Sequence, residues 1–289
     1  MTGFAITGIL LPYITVIVIA YYDGGVEFIG DRVHPKFGFI FAVCIYLSIG
    51  ALYGIPRAAN VAYEIGAKSI LPIHNTWTLV GFSLVFFIVV GLIALYPTKI
   101  VDNLGKILTP ALLLIIGALC IAAIINPEGK VGQPHDKYAE TPFISGILEG
   151  YYTMDLVAAL AFSVVIVQSF KLAGISDSKK IVRNVILSGL ISALLLTVIY
   201  FSLAYLGITT SKPGFDNGAS ILTYNSVRLF GSFGNILFGM IVILACLTTC
   251  IGLVNASSAF GLKKFPQISY KTYVLSFSVV GFLISILGL

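Results

Sequence analysis

Long apolar runs separated by short polar stretches organise the whole chain. Eight runs are long enough to cross a bilayer, at about 2–20, 38–63, 77–96, 107–126, 144–170, 182–207, 233–260 and 272–289. A helix needs roughly 20 apolar residues to cross about 30 Å of hydrocarbon. The runs are apolar on all sides rather than striped along one face, as expected of spanning helices and not of amphipathic surface helices. The separators collect the polar and helix-breaking residues, as in "DGGVEFIGDRVHPK", "NPEGKVGQPHDKYAE" and "TTSKPGFDNGAS". Barrel strands would be about half this length and would alternate. The pattern therefore predicts an all-α, polytopic membrane protein of about eight transmembrane helices.

Composition strengthens that reading. Of 289 residues, 58% are hydrophobic and only 10% charged, with mean hydropathy +1.02, too little polar surface for a soluble domain of this size. With residue 1 outside, the inner loops receive Arg32, Lys36, Lys99, Lys106, Lys171, Lys179, Lys180, Arg183, Lys263, Lys264 and Lys271. The outer loops receive Lys68, Lys130, Lys137, Lys212 and Arg228, and Arg57 falls inside a span. The positive-inside bias favours an external N-terminus. The net charge of +5 is then accounted for by basic loops beside anionic lipid, without nucleic acid.

Cofactor chemistry is not in evidence. Cys44, Cys120, Cys246 and Cys250 lie in apolar runs, and His34, His74 and His135 stand singly in loops. Cys246 and Cys250 share a helix face, which suits close packing of small residues. HExxH, paired-cysteine and clustered-carboxylate patterns are absent, as is a serine hydrolase elbow. The last run stops at "SVVGFLISILGL" without a polar flank. Together with eight helices and no signal peptide, this suggests one transmembrane domain over 1–289 that is a fragment, with helices missing at both ends.

Three polar intrusions carry the functional reading. In "ILEGYYTMDLVAALAF", Glu149, Thr153 and Asp155 interrupt or abut an apolar span. Gly146 and Gly150 form a small-xxx-small pair that permits close helix contact. The expected structure is a helix broken between Gly150 and Asp155, its second half capped by Thr153 or Asp155; a continuous helix with a polar end is the alternative. In "GALYGIPRAANVAYEIG", Tyr53, Arg57, Asn60 and Glu64 form one stripe, with Gly54 and Pro56 loosening the helix. Arg57 and Glu64 are about 10 Å apart along the axis, so Arg57 is expected either to pair with Asp155 or to snorkel to the interface. In "LACLTTCIGL", Thr248 and Thr249 either bond back to their own helix or offer hydroxyls to a sodium ion.

The blocks "GILEGYYTMDLVAALAFSVVIV", "YGIPRAANVAYEIG" and "ALYPTKIVDNLGKILTPAL" resemble the bacterial branched-chain amino acid:cation symporters, the system II carriers of the LIVCS family. The resemblance runs along essentially the whole chain. It implies symport of leucine, isoleucine and valine across the bacterial cytoplasmic membrane with sodium or protons. It also implies part of an inverted-repeat amino acid–polyamine–cation core, here the second to ninth helices of a roughly twelve-helix carrier. Gly150–Asp155 would be the break of the sixth helix, Arg57 would lie on the third, and Thr248 and Thr249 on the eighth. The glycine-rich first helix is absent, so a decayed or partner-dependent, non-transporting fragment is the alternative.

A branched-chain amino acid bound at this break would find carbonyls and N–H groups at the two half-helix ends. Tyr151, Tyr152 and Met154 would wall its side chain, with Tyr53 opposite, and Thr248 and Thr249 would hold sodium.

Overall fold

The computed structural model describes residues 1–22, 25–71, 75–95, 99–132, 137–210, 214–215 and 218–287, with backbone alone at 99–105, 107–108, 137 and 172. His74, His135 and Lys212, expected in loops, lie outside the described residues. The principal helices are α1 (Thr2–Tyr22, with a π-helical turn at Ile6–Leu10), α2 (Gly25–Asp31), α3 (Pro35–Leu47), α4 (Gly54–Val61) and α5 (Thr76–Leu95). They continue with α6 (Lys99–Ile125), α7 (Pro142–Tyr152), α8 (Asp155–Leu172), α9 (Ser178–Thr209), α10 (Gly218–Lys264) and α11 (Tyr270–Ser285). No strand occurs among the described residues.

Among the described residues, six helical segments are long and apolar enough to cross a membrane: Thr2–Tyr22, Pro35–Ile70, Thr76–Leu95, Pro142–Lys171, Ser178–Thr209 and Gly218–Lys264. The runs expected at 107–126 and 272–289 contain the apolar helices Thr109–Ile125 and Tyr270–Ser285, of 17 and 16 residues. Helix α6 as a whole runs over 27 residues, Lys99–Ile125. Six spans are thus found among the described residues, and the expected count of eight is not confirmed. The polar stretch before the seventh run is also helical from Gly218. It joins the next helix through Gly231, whose φ of +67° a side chain would strain.

The chain divides into two compact units. The first comprises Met1–Tyr46 and Val131–Ala204. In it α1 crosses α7 at backbone contact. A Cβ on Gly3 would strike the Phe143 carbonyl, and one on Gly150 would strike Thr7 Oγ1 and the Phe4 carbonyl. Gly146 and Gly150 thus supply the close approach expected of a small-xxx-small pair. Thr7 Oγ1 donates to the Ile147 carbonyl at 2.7 Å. Further along α1, Ala20 packs with Val167 of α8 and with Ile181 and Val185 of α9.

The second unit comprises Leu47–Lys130 and Tyr205–Leu289. Here α10 runs antiparallel to residues 50–67: Gly239 meets Gly66, the Cys250 thiol donates to the Ile55 carbonyl at 3.6 Å, and Ser257 abuts Gly50. Cys250 is fully buried, as the expected packing role requires. Residues 48–52 form a π-helical turn, Gly50 leaves helical geometry (ψ −129°), and Tyr53 separates that turn from α4. Pro56 sits in the first turn of α4, where its missing N–H is tolerated, so the helix is interrupted before it rather than through it. Phe87 of α5 meets Phe282 of α11 at 6.3 Å.

A contrast in sign tests the crossing of α1 and α7. Gly150→Ala should destabilise the detergent-solubilised protein by about 1–3 kcal/mol, because the added methyl meets backbone that cannot yield. Gly117→Ala has nothing within 4 Å of the new Cβ. It should stabilise by about 0.5–1 kcal/mol through helix propensity alone. Thermal unfolding measures both, and equal shifts would remove the crossing from the account.

Candidate functional site at the helix break

The expected break is present. Helix α7 ends at Tyr152, α8 begins at Asp155, and between them Met154 adopts φ 62°, ψ 14°. Left-handed geometry costs a residue with a side chain roughly 1–2 kcal/mol, so surrounding contacts must hold it. Backbone bonds resume on either side: Met154 N donates to Tyr151 O at 3.0 Å and Ala158 N to Met154 O at 2.9 Å.

The cap differs from expectation. The N-cap of α8 is Met154, and no side chain caps it. Thr153 Oγ1 instead lies 2.7 Å from the Gly150 carbonyl and 2.9 Å from Asp155 Oδ2. Its hydroxyl has one proton for two acceptors, so it ties the end of one half-helix to the carboxylate opening the next. Asp155 cannot cap because it is already the first residue of α8, where the N-terminal end of the helix dipole favours a carboxylate.

A residue that the sequence left unmarked completes the cluster. Tyr200 of α9 donates from its phenol to Asp155 Oδ2 at 2.9 Å, and Phe4 of α1 sets its ring edge-on to Tyr200 at 4.9 Å. Tyr200 is one tyrosine in a long apolar run 45 residues from Asp155, and no spacing rule links the two. An Asp at helix centre costs about 2.5–3.5 kcal/mol on insertion scales. A hydrogen bond to a charged group returns about 1.5–3 kcal/mol, so Tyr200 and Thr153 are enough to hold this carboxylate.

The remaining candidates are distributed as follows. Gly150 is buried, whereas Tyr151 and Tyr152 are 52% and 59% exposed. Tyr53 and Arg57 belong to the second unit, and Asp155 to the first. Of the two arrangements open to Arg57, pairing with Asp155 or snorkelling, its exposure fits the second: Nη1 lies 3.3 Å from Tyr53 Oη and the guanidinium 5.5 Å from that ring. A planar cation on an aromatic face keeps its charge near solvent, which burial would forbid. Glu64 pairs with Lys68 at 2.7 Å, one helical turn on. Thr248 Oγ1 and Thr249 Oγ1 both donate to the Ala245 carbonyl at 2.9 Å. Their protons are thus committed inward, while their lone pairs stay available to a cation.

Tyr200→Phe should lower stability by about 1.5–3 kcal/mol while keeping the Phe4 ring contact. In an Asp155→Asn background the same change should cost under about 1 kcal/mol, because the two groups act as a pair. Additive losses in this double-mutant cycle, read by thermal unfolding, would show that the phenol does not act through Asp155.

A family model described as "Branched-chain amino acid transport protein" matches residues 1–289. The chain is 43% identical over 290 residues to the branched-chain amino acid permease BraB of Bacillus subtilis (strain 168), covering 99% of this chain and 65% of that protein. It is 38% identical over 291 residues to the permease BrnQ of the same organism, covering 99% and 66%. It is 37% identical over 289 residues to the branched-chain amino acid transport system 2 carrier protein of Pseudomonas aeruginosa, again covering 99% and 66%. The chain therefore spans about two thirds of the length of the curated relatives it matches. With the match running from the first residue to the last, through the broken helix and the Arg57 segment alike, the chain belongs to the branched-chain amino acid transport protein family.

Proposed function

We propose that this chain is part of a carrier moving leucine, isoleucine and valine across the bacterial cytoplasmic membrane in symport with a cation, with the substrate bound at the break between Gly150 and Asp155. The observation carrying this reading is the break itself: an interrupted span whose two half-helix ends are tied through Thr153 and Asp155. A zwitterion needs acceptors for its ammonium and donors for its carboxylate. The carbonyl end of α7 and the N–H end of α8 offer both within a few ångströms of backbone. Tyr151, Tyr152 and Met154 border the break and supply apolar surface for a branched side chain.

The coupling ion in this proposal is sodium, held by the lone pairs of Thr248 and Thr249. Support comes from the two hydroxyls donating to one carbonyl, which leaves two neighbouring hydroxyl oxygens with free lone pairs for a hard cation. The architecture proposed is part of an inverted-repeat core, with residue 1 external as the loop charges indicate.

The full-length carrier reconstituted in vesicles should accumulate leucine, and more of it under an inward sodium gradient. Thr248→Ala with Thr249→Ala should abolish the sodium stimulation. Proton coupling would show instead as a response to an imposed pH gradient that the double substitution leaves untouched. Valine, shorter by one methylene worth about 0.8 kcal/mol, should bind about fourfold more weakly than leucine. Equal affinity for alanine and leucine would remove the apolar pocket.

A further inference from the structure

Helices α5 and α11 lie side by side in the second unit and leave a groove of about 250 Å³ between them. Phe87 and Phe282 line it, and Ile88 and Val279 stand half exposed along its walls. Gly91 faces Ser278 across it: a Cβ at Gly91 would meet only Ser278, 3.6 Å from Oγ and 3.9 Å from Cβ. Every lining side chain is apolar except that serine.

Ser278 is only 5% exposed, and its Oγ has no hydrogen-bond partner among the described residues. Serines in membrane helices usually donate back to a carbonyl of their own helix. Ser285, two turns on in α11, does so to the Phe282 carbonyl at 2.8 Å, as do Ser188, Ser192 and Ser202 of α9 to theirs. A hydroxyl left without a partner in apolar surroundings is costly, so Ser278 calls for an acceptor from outside. That need selects the occupant. An acyl chain fills an apolar groove but accepts no hydrogen bond. A lipid ester stays at the interface, whereas Ser278 is about 10 Å or more from either end of α11. A helix brings apolar side chains for the walls and carbonyls whose second lone pair is open. Small residues on both walls suit its close approach.

The source of such a helix is at hand. The curated relatives extend about a third of their length beyond the region they share with this chain, room for several helices of roughly 20 residues. We infer that the groove between α5 and α11 seats a spanning helix from that further part of the full-length carrier, with Ser278 donating to one of its carbonyls beside Gly91. This rests on the reading of the chain as part of a longer carrier, and adds which surface of the second unit the remainder packs on.

The test is photo-crosslinking of the full-length carrier in membranes, with p-benzoylphenylalanine placed at Val279, 54% exposed on the groove wall. Mass spectrometry should find the link within one chain, to a residue outside the matched region. Links to lipid alone, to a second copy, or to nothing each overturn the inference. Gly91→Leu adds bulk to the groove, while its Cβ meets Ser278 at ordinary contact distance. It should lower the yield of that link about tenfold while the carrier still elutes as one species, and an unchanged yield overturns the inference. Should this variant fail to fold, the first measurement decides alone. Leucine uptake is read on the same preparation after reconstitution. Uptake with a lipid link leaves the carrier reading standing without the inference; an intramolecular link without uptake upholds the inference and removes the substrate assignment.

Discussion

A helix interrupted within an apolar span must hand its backbone hydrogen bonds to something else, because hydrocarbon offers no partners. That requirement organises the first unit. The Gly150 carbonyl is taken by the Thr153 hydroxyl, Thr153 also reaches Asp155, and Tyr200 secures the carboxylate from another helix. The strained geometry of Met154 turns the chain between the two halves. None of these contacts would hold unless α7 were seated firmly, and the glycine crossing with α1 seats it. Gly3 and Gly150 let two backbones touch where any side chain would separate them.

The same economy of small residues holds the second unit. Gly66 and Gly239 bring the π-helical stretch Ala62–Ala67 onto α10, and Cys250 and Ser257 continue that seam toward Gly50. Close backbone approach leaves little freedom along α10, so Thr248 and Thr249 are carried on a rigid element. The helices depart from regular geometry at Gly50 and Gly231.

Much of this was legible along the chain. The break could be located because an aspartate and a threonine inside an apolar run have few structural excuses, and the glycine pair beside them announced a close crossing. The looseness near Gly54 and Pro56 was likewise written in residue types. Other features left no local trace. Tyr200 looks like any tyrosine in a greasy helix until folding sets it against Asp155. The exposure of Arg57, seated on Tyr53, depends on which way the α4 stripe turns, and a stripe alone does not say. Helix 218–230 lies in a stretch whose glycine and polar residues read as a loop.

The sequence by itself determined the solvent and the element: apolar runs of spanning length and few charges oblige the backbone to form membrane helices. It also marked where a helix had to fail. These are local properties, set by the residue types within one or two turns. Tertiary structure alone decided how each failure was repaired. The cap of α8 passed to Met154 because the Thr153 hydroxyl was already engaged, and the partner of Asp155 came from α9 because packing brought a phenol there. Hydrogen bonds between distant helices depend on distances that only packing fixes, and no spacing along the chain encodes them.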